Sequence, residues 1–364
     1  MTDVSPAPAT APRYTVRPAN AGAERDTIIE LWRDNIGAPD ALAAKFQWYY
    51  AEHPEGAPTV LLLCHGPEAQ PVGVAANGGR RMRLGEQAVR AGIRVDLAVD
   101  AAHRTLFPAL QLQRAVRQSG MDQFDVLYGL PNTKAVKVVE RIGFTQRHDF
   151  VRYARVLRWR TYLARVMPSW LAALAAPAVN GLQRARTWAR LLRLRGVDAV
   201  WLDQADARFD DLWQRTAWPG VLMGARDSRF LNWRFVARPA GAARFLALVE
   251  RGTERLLGYA VCDFDFGAAA STVAVRDFLV DARSPREARP LLVQLLLRVQ
   301  RQADRAGCAT VSLSFFGHPD VRAALAEAGF APRESSPVFV DMAAPHAERL
   351  GAFDYYFTGA DEDQ

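Results

Sequence analysis

The stretch "FQWYYAEHPEGA", Phe46–Ala57, runs into the apolar segment Thr59–Leu63. The chain says nearly the same thing again at "NWRFVARPAGA", Asn232–Ala242, followed by Phe245–Leu248. Trp48 falls on Trp233, Tyr50 on Phe235, Pro54 on Pro239, Gly56 on Gly241, Ala57 on Ala242, Leu61 on Leu246, Leu63 on Leu248 and Gly73 on Gly258, at a constant offset of 185. Leu31-Trp32 and Leu212-Trp213, Asp96-x-x-Val99-Asp100 and Asp277-x-x-Val280-Asp281, and Gly143-Phe144 and Gly329-Phe330 echo in the same order at offsets of 181 to 186. So long a period indicates duplication of a whole domain rather than a solenoid of short units.

A chain of 364 residues, 50% of them hydrophobic, is long enough to bury two cores of ordinary domain size. Its glycine and proline content excludes a fibrous or wholly disordered chain. The first thirteen residues, "MTDVSPAPATAPR", lack both a basic and an apolar signal region, so they read as a loose tail and a cytoplasmic location is expected. Cys64, Cys262 and Cys308 lie far apart in apolar surroundings, which fits reduced core thiols; a catalytic cysteine is the lesser alternative. The six histidines show no ligand spacing, so no metal is expected.

The net charge of +7 is uneven. Between Arg152 and Arg195 stand ten arginines and no acid, which leaves about −3 for the rest of the chain. This segment, "RWRTYLARVMPSWLAALAAPAVNGLQRARTWARLLRLRG", sets Trp159, Trp170 and Trp188 beside arginines. Its uncharged stretch Val166–Gln183 is interrupted by Pro168, Pro177, Asn180 and Gly181, so it is a poor membrane span. Two readings stay open: an interdomain linker with an apolar face packed on the domains, and peripheral contact with an anionic membrane through Arg152–Arg195. DNA is not expected as a partner.

Both halves alternate helix-like and strand-like stretches, as α/β proteins do. The pattern divides the chain into a tail at 1–13, a first domain at 14–158, a basic amphipathic helical linker at 159–197, a second domain at 198–343, and a C-terminal edge strand with an acidic end at 344–364.

The most informative run is "VDLAVDAAHRTLFPALQLQRAV" followed by "DVLYGLPNTKAVKVVERIGF". A strand, a tight turn from Arg104 and a helix beginning near Pro108 would aim backbone N–H groups and a helix N-terminus at one point, which suits a pyrophosphate. A second strand ending at Asn132 would line the other wall. Asn132 would either bond the ligand or cap the following helix at Asn132-Thr133.

This order resembles the GNAT superfamily of N-acetyltransferases, whose phosphate-binding loop reads (Arg/Gln)-x-x-Gly-x-(Gly/Ala) and whose next helix ends in Gly-Phe. Here the loop is Arg104-Thr105-Leu106-Phe107-Pro108-Ala109; Arg104 and Ala109 match, while Phe107 replaces the glycine and Pro108 removes one donor. The resemblance implies an α/β (α+β) fold of two tandem GNAT-like domains, each a mixed, mainly antiparallel twisted sheet flanked by helices. It also implies acetyl-CoA as co-substrate, held by Ala98, Val99, Arg104, Leu106, Phe107, Ala109 and Asn132.

The family's acid, a tyrosine four residues before the Gly-Phe, is Val139 here and Leu325 in the second half. Asp96 is then the candidate base, unless it caps a loop or pairs with an arginine such as Arg94. Tyr128 is the candidate substitute acid if its hydroxyl faces the cleft, and His103 and Glu140 are weaker candidates. The second half's turn, "VDARSPREARPLL", has no glycine and carries Glu287 where phosphate would approach, so that half reads as structural or acceptor-binding. The repeated Trp48/Trp233 motif reads as fold architecture.

The activity implied is transfer of an acetyl group to a primary amine, on a small molecule or on a glycan such as an envelope amino sugar, bound between the halves. The alternatives are a non-catalytic tandem scaffold and an aminoacyl or peptidyl transferase of the FemAB type. The loops near Asn35–Phe46 and Arg215–Phe230, where an acceptor would bind, carry no recognisable signature.

Overall fold

The computed structural model describes residues 14–132, 135–144, 146–192, 196–239, 241, 243–266 and 271–363. The tail 1–13, Thr133, Arg193, Arg195, Ala242 and Gln364 lie outside the described residues.

The strands of the first repeat are β1 (Tyr14–Ala19), β2 (Thr59–His65), β3 (Gln70–Leu84), β4 (Gln87–Val99), β5 (Val126–Gly129) and β6 (Gln146–Val156). Those that follow are β7 (Val197–Leu202), β8 (Val221–Gly224), β9 (Arg244–Glu250), β10 (Leu256–Asp265), β11 (Thr272–Val280), β12 (Thr310–Gly317), β13 (Ala331–Asp341) and β14 (Asp354–Phe357). The helices are α1 (Arg25–Trp32), α2 (Leu42–Phe46), α3 (Leu106–Gln123), α4 (Val136–Arg141), α5 (Arg160–Leu163), α6 (Ser169–Leu191), α7 (Ala207–Arg215), α8 (Ser228–Leu231), α9 (Pro285–Arg305), α10 (Pro319–Glu327) and α11 (Ala344–Leu350).

The duplication holds for the main elements in order, with β8, α11 and β14 as additions of the second repeat, and β2 and β9 begin and end 185 positions apart. The repeated motif at Phe46–Ala57 and Asn232–Ala242 begins with the same uncommon structure in both copies. Helix α2 widens into a π-turn over Gln47–Ala51, closed by Glu52 N–H donating to Gln47 C=O at 3.0 Å. Helix α8 widens in the same way over Asn232–Val236, closed by Ala237 N–H on Asn232 C=O at 2.9 Å. Such i→i+5 turns are rare and cluster at functional sites. The other repeated motif, Gly-Phe, follows α4 and α10, where Gly143 and Gly329 take φ of 85° and 86° to end the helix.

The described residues form two compact units that interleave along the chain. One contains the residues up to Gly79, with Gly92–Gln146 and Phe339–Met342; the other contains Arg80–Ala91, Arg147–Val338 and the residues from Ala343 onward.

In the first unit the strand order is β1, β2, β3, β4, β5 and then the end of β13. Phe339, Val340 and Asp341 pair antiparallel with Gly129, Tyr128 and Leu127. Leu61, Leu63, Val72 and Ala75 of the sheet pack on Leu112 and Val116 of α3. In the second unit the order is β13, β6, β12, β11, β10, β9 and β7, with β11 and β12 parallel. The two closing strands, β6 and β13, also stand 185 positions apart, and each contributes to the sheet built by the other repeat.

The C-terminal tail is not an acidic edge strand, as its short alternation suggested. Strand β14 lies between β8, parallel, and β12, antiparallel. It enters where β12 has left β11: those two pair only from Thr272↔Thr310 to Val275↔Leu313, although β11 runs on to Val280. Gly317, at φ 150°, lets β14 come so close that a Cβ there would meet Tyr355 C=O at 1.8 Å. The following turn is buried, with Asp361 only 1% exposed.

What makes that turn tolerable inside the protein is Arg226, itself fully buried. Its guanidinium donates to Asp277 Oδ1 at 3.1 Å, Asp361 Oδ2 at 2.5 Å, Thr358 Oγ1 at 3.2 Å and Gly224 C=O at 2.6 Å. Arg80 reaches the other oxygen of Asp361 at 3.0 Å. Burial works to raise the Asp361 pKa, but the Arg226 and Arg80 guanidiniums outweigh it and hold the carboxyl below the usual carboxylate range. The free thiols Cys64, Cys262 and Cys308 are all buried, and burial pushes the Cys262 thiol well up.

Removing one partner of a buried charge network leaves the others uncompensated, which costs about 3–5 kcal/mol. Arg226→Met is therefore expected to lose stability of that order in urea unfolding at neutral pH; a loss below about 1 kcal/mol would contradict this role. Because the folded Asp361 binds its proton more weakly than the unfolded residue, the wild-type chain should be stable above the carboxylate range and weaken as pH falls through it.

Candidate functional site

In the first unit β4 leads into the candidate turn. Asp100 N–H donates to Val72 C=O at 2.8 Å, and its carboxylate accepts from Ala102 N–H at 2.8 Å, so the chain leaves the sheet at a fixed angle. Arg104 folds back, donating from Nε to Val99 C=O at 3.0 Å and from its terminal nitrogen to Asp34 C=O at 3.1 Å. Its guanidinium therefore fastens the turn. Ala98 and Val99 are buried at the end of β4.

Helix α3 begins at Leu106, two residues before the expected start, with Thr105 as an N-cap whose side chain makes no capping bond. An 18-residue helix thus presents its first amides uncapped, apart from the missing N–H of Pro108. Phe107 does not plug the turn: its side chain is 66% exposed and its ring lies 6.4 Å from that of Tyr14. Ala109 follows one residue beyond Pro108 in the first turn of the helix.

The second repeat closes the equivalent point from within. Ser284 caps α9 by accepting from Glu287 N–H at 3.3 Å, and Glu287 returns its carboxylate to Arg283 N–H at 3.2 Å. A negative charge of the chain's own already complements that helix terminus.

Asp96 sits on a β4 residue at φ 56°, an uncommon conformation for a non-glycine residue that turns its carboxylate out of the strand's alternation. The buried carboxylate pairs with Lys45 rather than with Arg94: Lys45 Nζ donates to Oδ1 at 2.6 Å, and Tyr50 O–H to Oδ2 at 2.9 Å. Lys45 comes from α2 and Tyr50 from the first π-turn. Burial first, then the Asp96 charge, raises the Tyr50 pKa well above its ordinary value, so the phenol stays a donor. Phe46 stacks on Tyr50 at 5.1 Å and Trp32 meets it edge-on at 5.1 Å.

Neither Lys45 nor Tyr50 emerged from the sequence, because Tyr50 aligns with Phe235 and the motif read first as architecture, with an acceptor-lining role for its aromatics as the lesser alternative. The available signal was that difference: one repeat has a hydroxyl where its copy has none. In the second repeat the corresponding carboxylate, Asp277, takes its phenol from Tyr259 at 2.6 Å and its counter-ion from Arg226. The second π-turn serves the C-terminus instead, through Arg234 donating to Gly359 C=O at 3.2 Å and Glu362 C=O at 2.9 Å.

Strand β5 ends at Gly129, packed against Arg94, while β4 runs on to Val99. Arg94 lies over the Phe144 ring at 4.7 Å. Desolvation, then the neighbouring Arg117, lowers the Arg94 pKa to about 9 against the pull of Asp341. Tyr128 is fully buried in β5. Asn132 caps the turn before α4, its side-chain oxygen accepting from Ala135 N–H at 3.0 Å. His103 Nδ1 lies 3.0 Å from the Tyr14 hydroxyl, and Glu140 is exposed on α4. Val139 and Leu325 are core residues.

No family model matches the sequence, and no curated protein resembles it at sequence level. Solved structures do resemble it. A GCN5-related N-acetyltransferase from Anabaena variabilis ATCC 29413 superposes with a TM-score of 0.62 at 12% identity, covering 90% of this chain and 72% of that one. Another, from Kribbella flavida, gives 0.57 at 13% identity over 93% and 74%. Saccharomyces cerevisiae N-myristoyltransferase with bound myristoyl-CoA gives 0.52 at 11% identity over 93% and 82%. The fold is thus the GNAT fold, in two tandem copies, as the repeat and its motifs implied.

Tyr50→Phe removes one hydroxyl and leaves Asp96 Oδ2 without its donor. A loss of about 1–3 kcal/mol in urea unfolding is expected, and an unchanged midpoint would show that the bond does not hold Asp96.

Proposed function

We propose that the first repeat is an acyltransferase that moves an acetyl group from acetyl-CoA to a primary amine, and that the second is its structural companion. The observation that carries this reading is the contrast between two helix termini on one fold. The start of α3 is uncapped, whereas α9 is closed by Ser284 and Glu287.

The amides of Leu106, Phe107 and Ala109, with the positive end of the α3 dipole, suit the coenzyme's pyrophosphate. A backbone N–H of the Ala98–Val99 segment would polarise the thioester carbonyl, and Asn132, which caps the turn before α4, would contact the coenzyme from the end of β5. Asp96, whose carboxylate is fixed by Lys45 and Tyr50, would hold an incoming ammonium and pass its proton to water. The amine nitrogen bonds to the acyl carbon, the C–S bond breaks, the nitrogen gives up a proton and the thiolate gains one. Val139 is apolar and Tyr128 is enclosed in the sheet, so the proton for that thiolate would come from water. The acceptor is a small molecule or glycan bearing a primary amine.

Titration of acetyl-CoA into the full chain should give binding heat. Phe107→Glu, an exposed change that sets a carboxylate at the helix terminus, should weaken it at least about tenfold. With an amine acceptor in place, Asp96→Asn should lower kcat/KM about 10²-fold in a thiol-release assay while binding of acetyl-CoA persists. No binding heat, with the fold intact, would leave only a scaffold.

A further inference from the structure

The basic segment contains a surface that the acyl-transfer reading does not use. Helix α6 runs unbroken for 23 residues, straight through Pro177 and Gly181, which the sequence had marked as interruptions. One arc, with Ala172, Ala176 and Leu191, is buried. At 100° per residue the opposite arc carries Trp170, Leu171, Leu174, Leu182, Trp188 and Leu192, and no charge falls among them.

These side chains face outward: Trp170 is 64% exposed, Leu174 71% and Trp188 57%. A solvent-facing helix normally shows polar residues there, and an apolar stripe about 34 Å long marks a contact surface. Arginines border it. Arg184 is held by Asp304 at 2.7 Å; Arg190, which at 100° per residue points the same way as the buried Ala172, is held on that side by Glu327 at 3.1 Å. Arg186 is exposed and has no acidic partner among the described residues.

Beside the helix a cavity of about 350 Å³ is lined by Arg158, Arg160, Arg184 and Asn180. Neither Arg158 nor Arg160 has an acidic partner among the described residues.

We propose that α6 lies flat on an anionic phospholipid bilayer, its tryptophans and leucines entering the interface and Arg158, Arg160 and Arg186 meeting lipid phosphates. No helix among the described residues is long and apolar enough to cross a membrane, so the contact is interfacial. Charge favours this occupant over a second copy of the chain. A two-fold contact through this face would bring Arg158, Arg160 and Arg186 of both copies together, and none of these three has an acidic partner among the described residues, whereas Arg152, Arg184 and Arg190 are already paired with Glu334, Asp304 and Glu327. An anionic bilayer accepts the apolar stripe and the positive border at once, and tryptophan prefers its headgroup layer.

The test is co-sedimentation of the full chain with vesicles of phosphatidylcholine alone and of phosphatidylcholine mixed with phosphatidylglycerol. Binding should be roughly 100-fold tighter to the anionic vesicles, with a blue shift of tryptophan emission and quenching by brominated acyl chains. Trp170→Gln/Leu174→Gln/Trp188→Gln, all at exposed positions, should abolish binding without changing the melting curve. Arg158→Gln/Arg160→Gln/Arg186→Gln should remove the preference for anionic lipid. The proposal fails if the wild type binds neither vesicle or if the apolar triple variant still binds. It fails equally if the wild type is a dimer that the same variant turns into a monomer. None of these readouts depends on acyl transfer.

Discussion

A carboxylate inside a β-sheet must be matched by positive charge and hydrogen-bond donors, and this chain solves that problem twice at the same strand position. Asp96 is satisfied by Lys45 and Tyr50, both from the segment just before β2. Asp277 is satisfied by Arg226, Tyr259 and Thr358, and so draws in the C-terminal turn. From that difference the rest follows. In the second repeat the place where β11 and β12 part is filled by β14, and Arg226 bridges Asp277 to Asp361. In the first, the sheet passes from β4 directly to the short β5.

The two repeats have therefore diverged by occupancy rather than by loss of fold. A closed helix terminus with its own glutamate, a strand inserted beside β12 and a buried ion network are features of a module that binds its own chain. In the first repeat, by contrast, the α3 terminus carries no side-chain cap and Asp96 keeps a positive φ. The π-turns belong to this divergence: the same widened turn delivers Tyr50 to a carboxylate in one copy and Arg234 to the C-terminal backbone in the other.

Much of this was written in the sequence. The gap-free offset of 185 announced the duplication, and Gly-Phe after α4 and α10 marked helix ends that need a positive φ. Glu287 announced that its helix terminus is closed. What stayed hidden depends on distant pairing. Strands β6 and β13 carry equivalent patterns, and nothing local says which sheet each will join. "DYYF" is too short to reveal that it is sandwiched between two strands, and Asp361 reads as a solvated acid until Arg226 and Arg80 are seen beside it. The π-turns could not be read because helix and π-turn share the same residue preferences, and the ion pair of Asp96 with Lys45 spans 51 positions.

The proposal that only the first repeat keeps a helix terminus open to a phosphate rests on the contrast between α3 and α9. Hydrogen–deuterium exchange of the full chain, with and without acetyl-CoA, tests it most directly. Added acetyl-CoA should slow exchange in peptides covering 98–112 and leave those covering 280–292 unchanged. Protection at 280–292, or none at 98–112 under saturating acetyl-CoA, would contradict it.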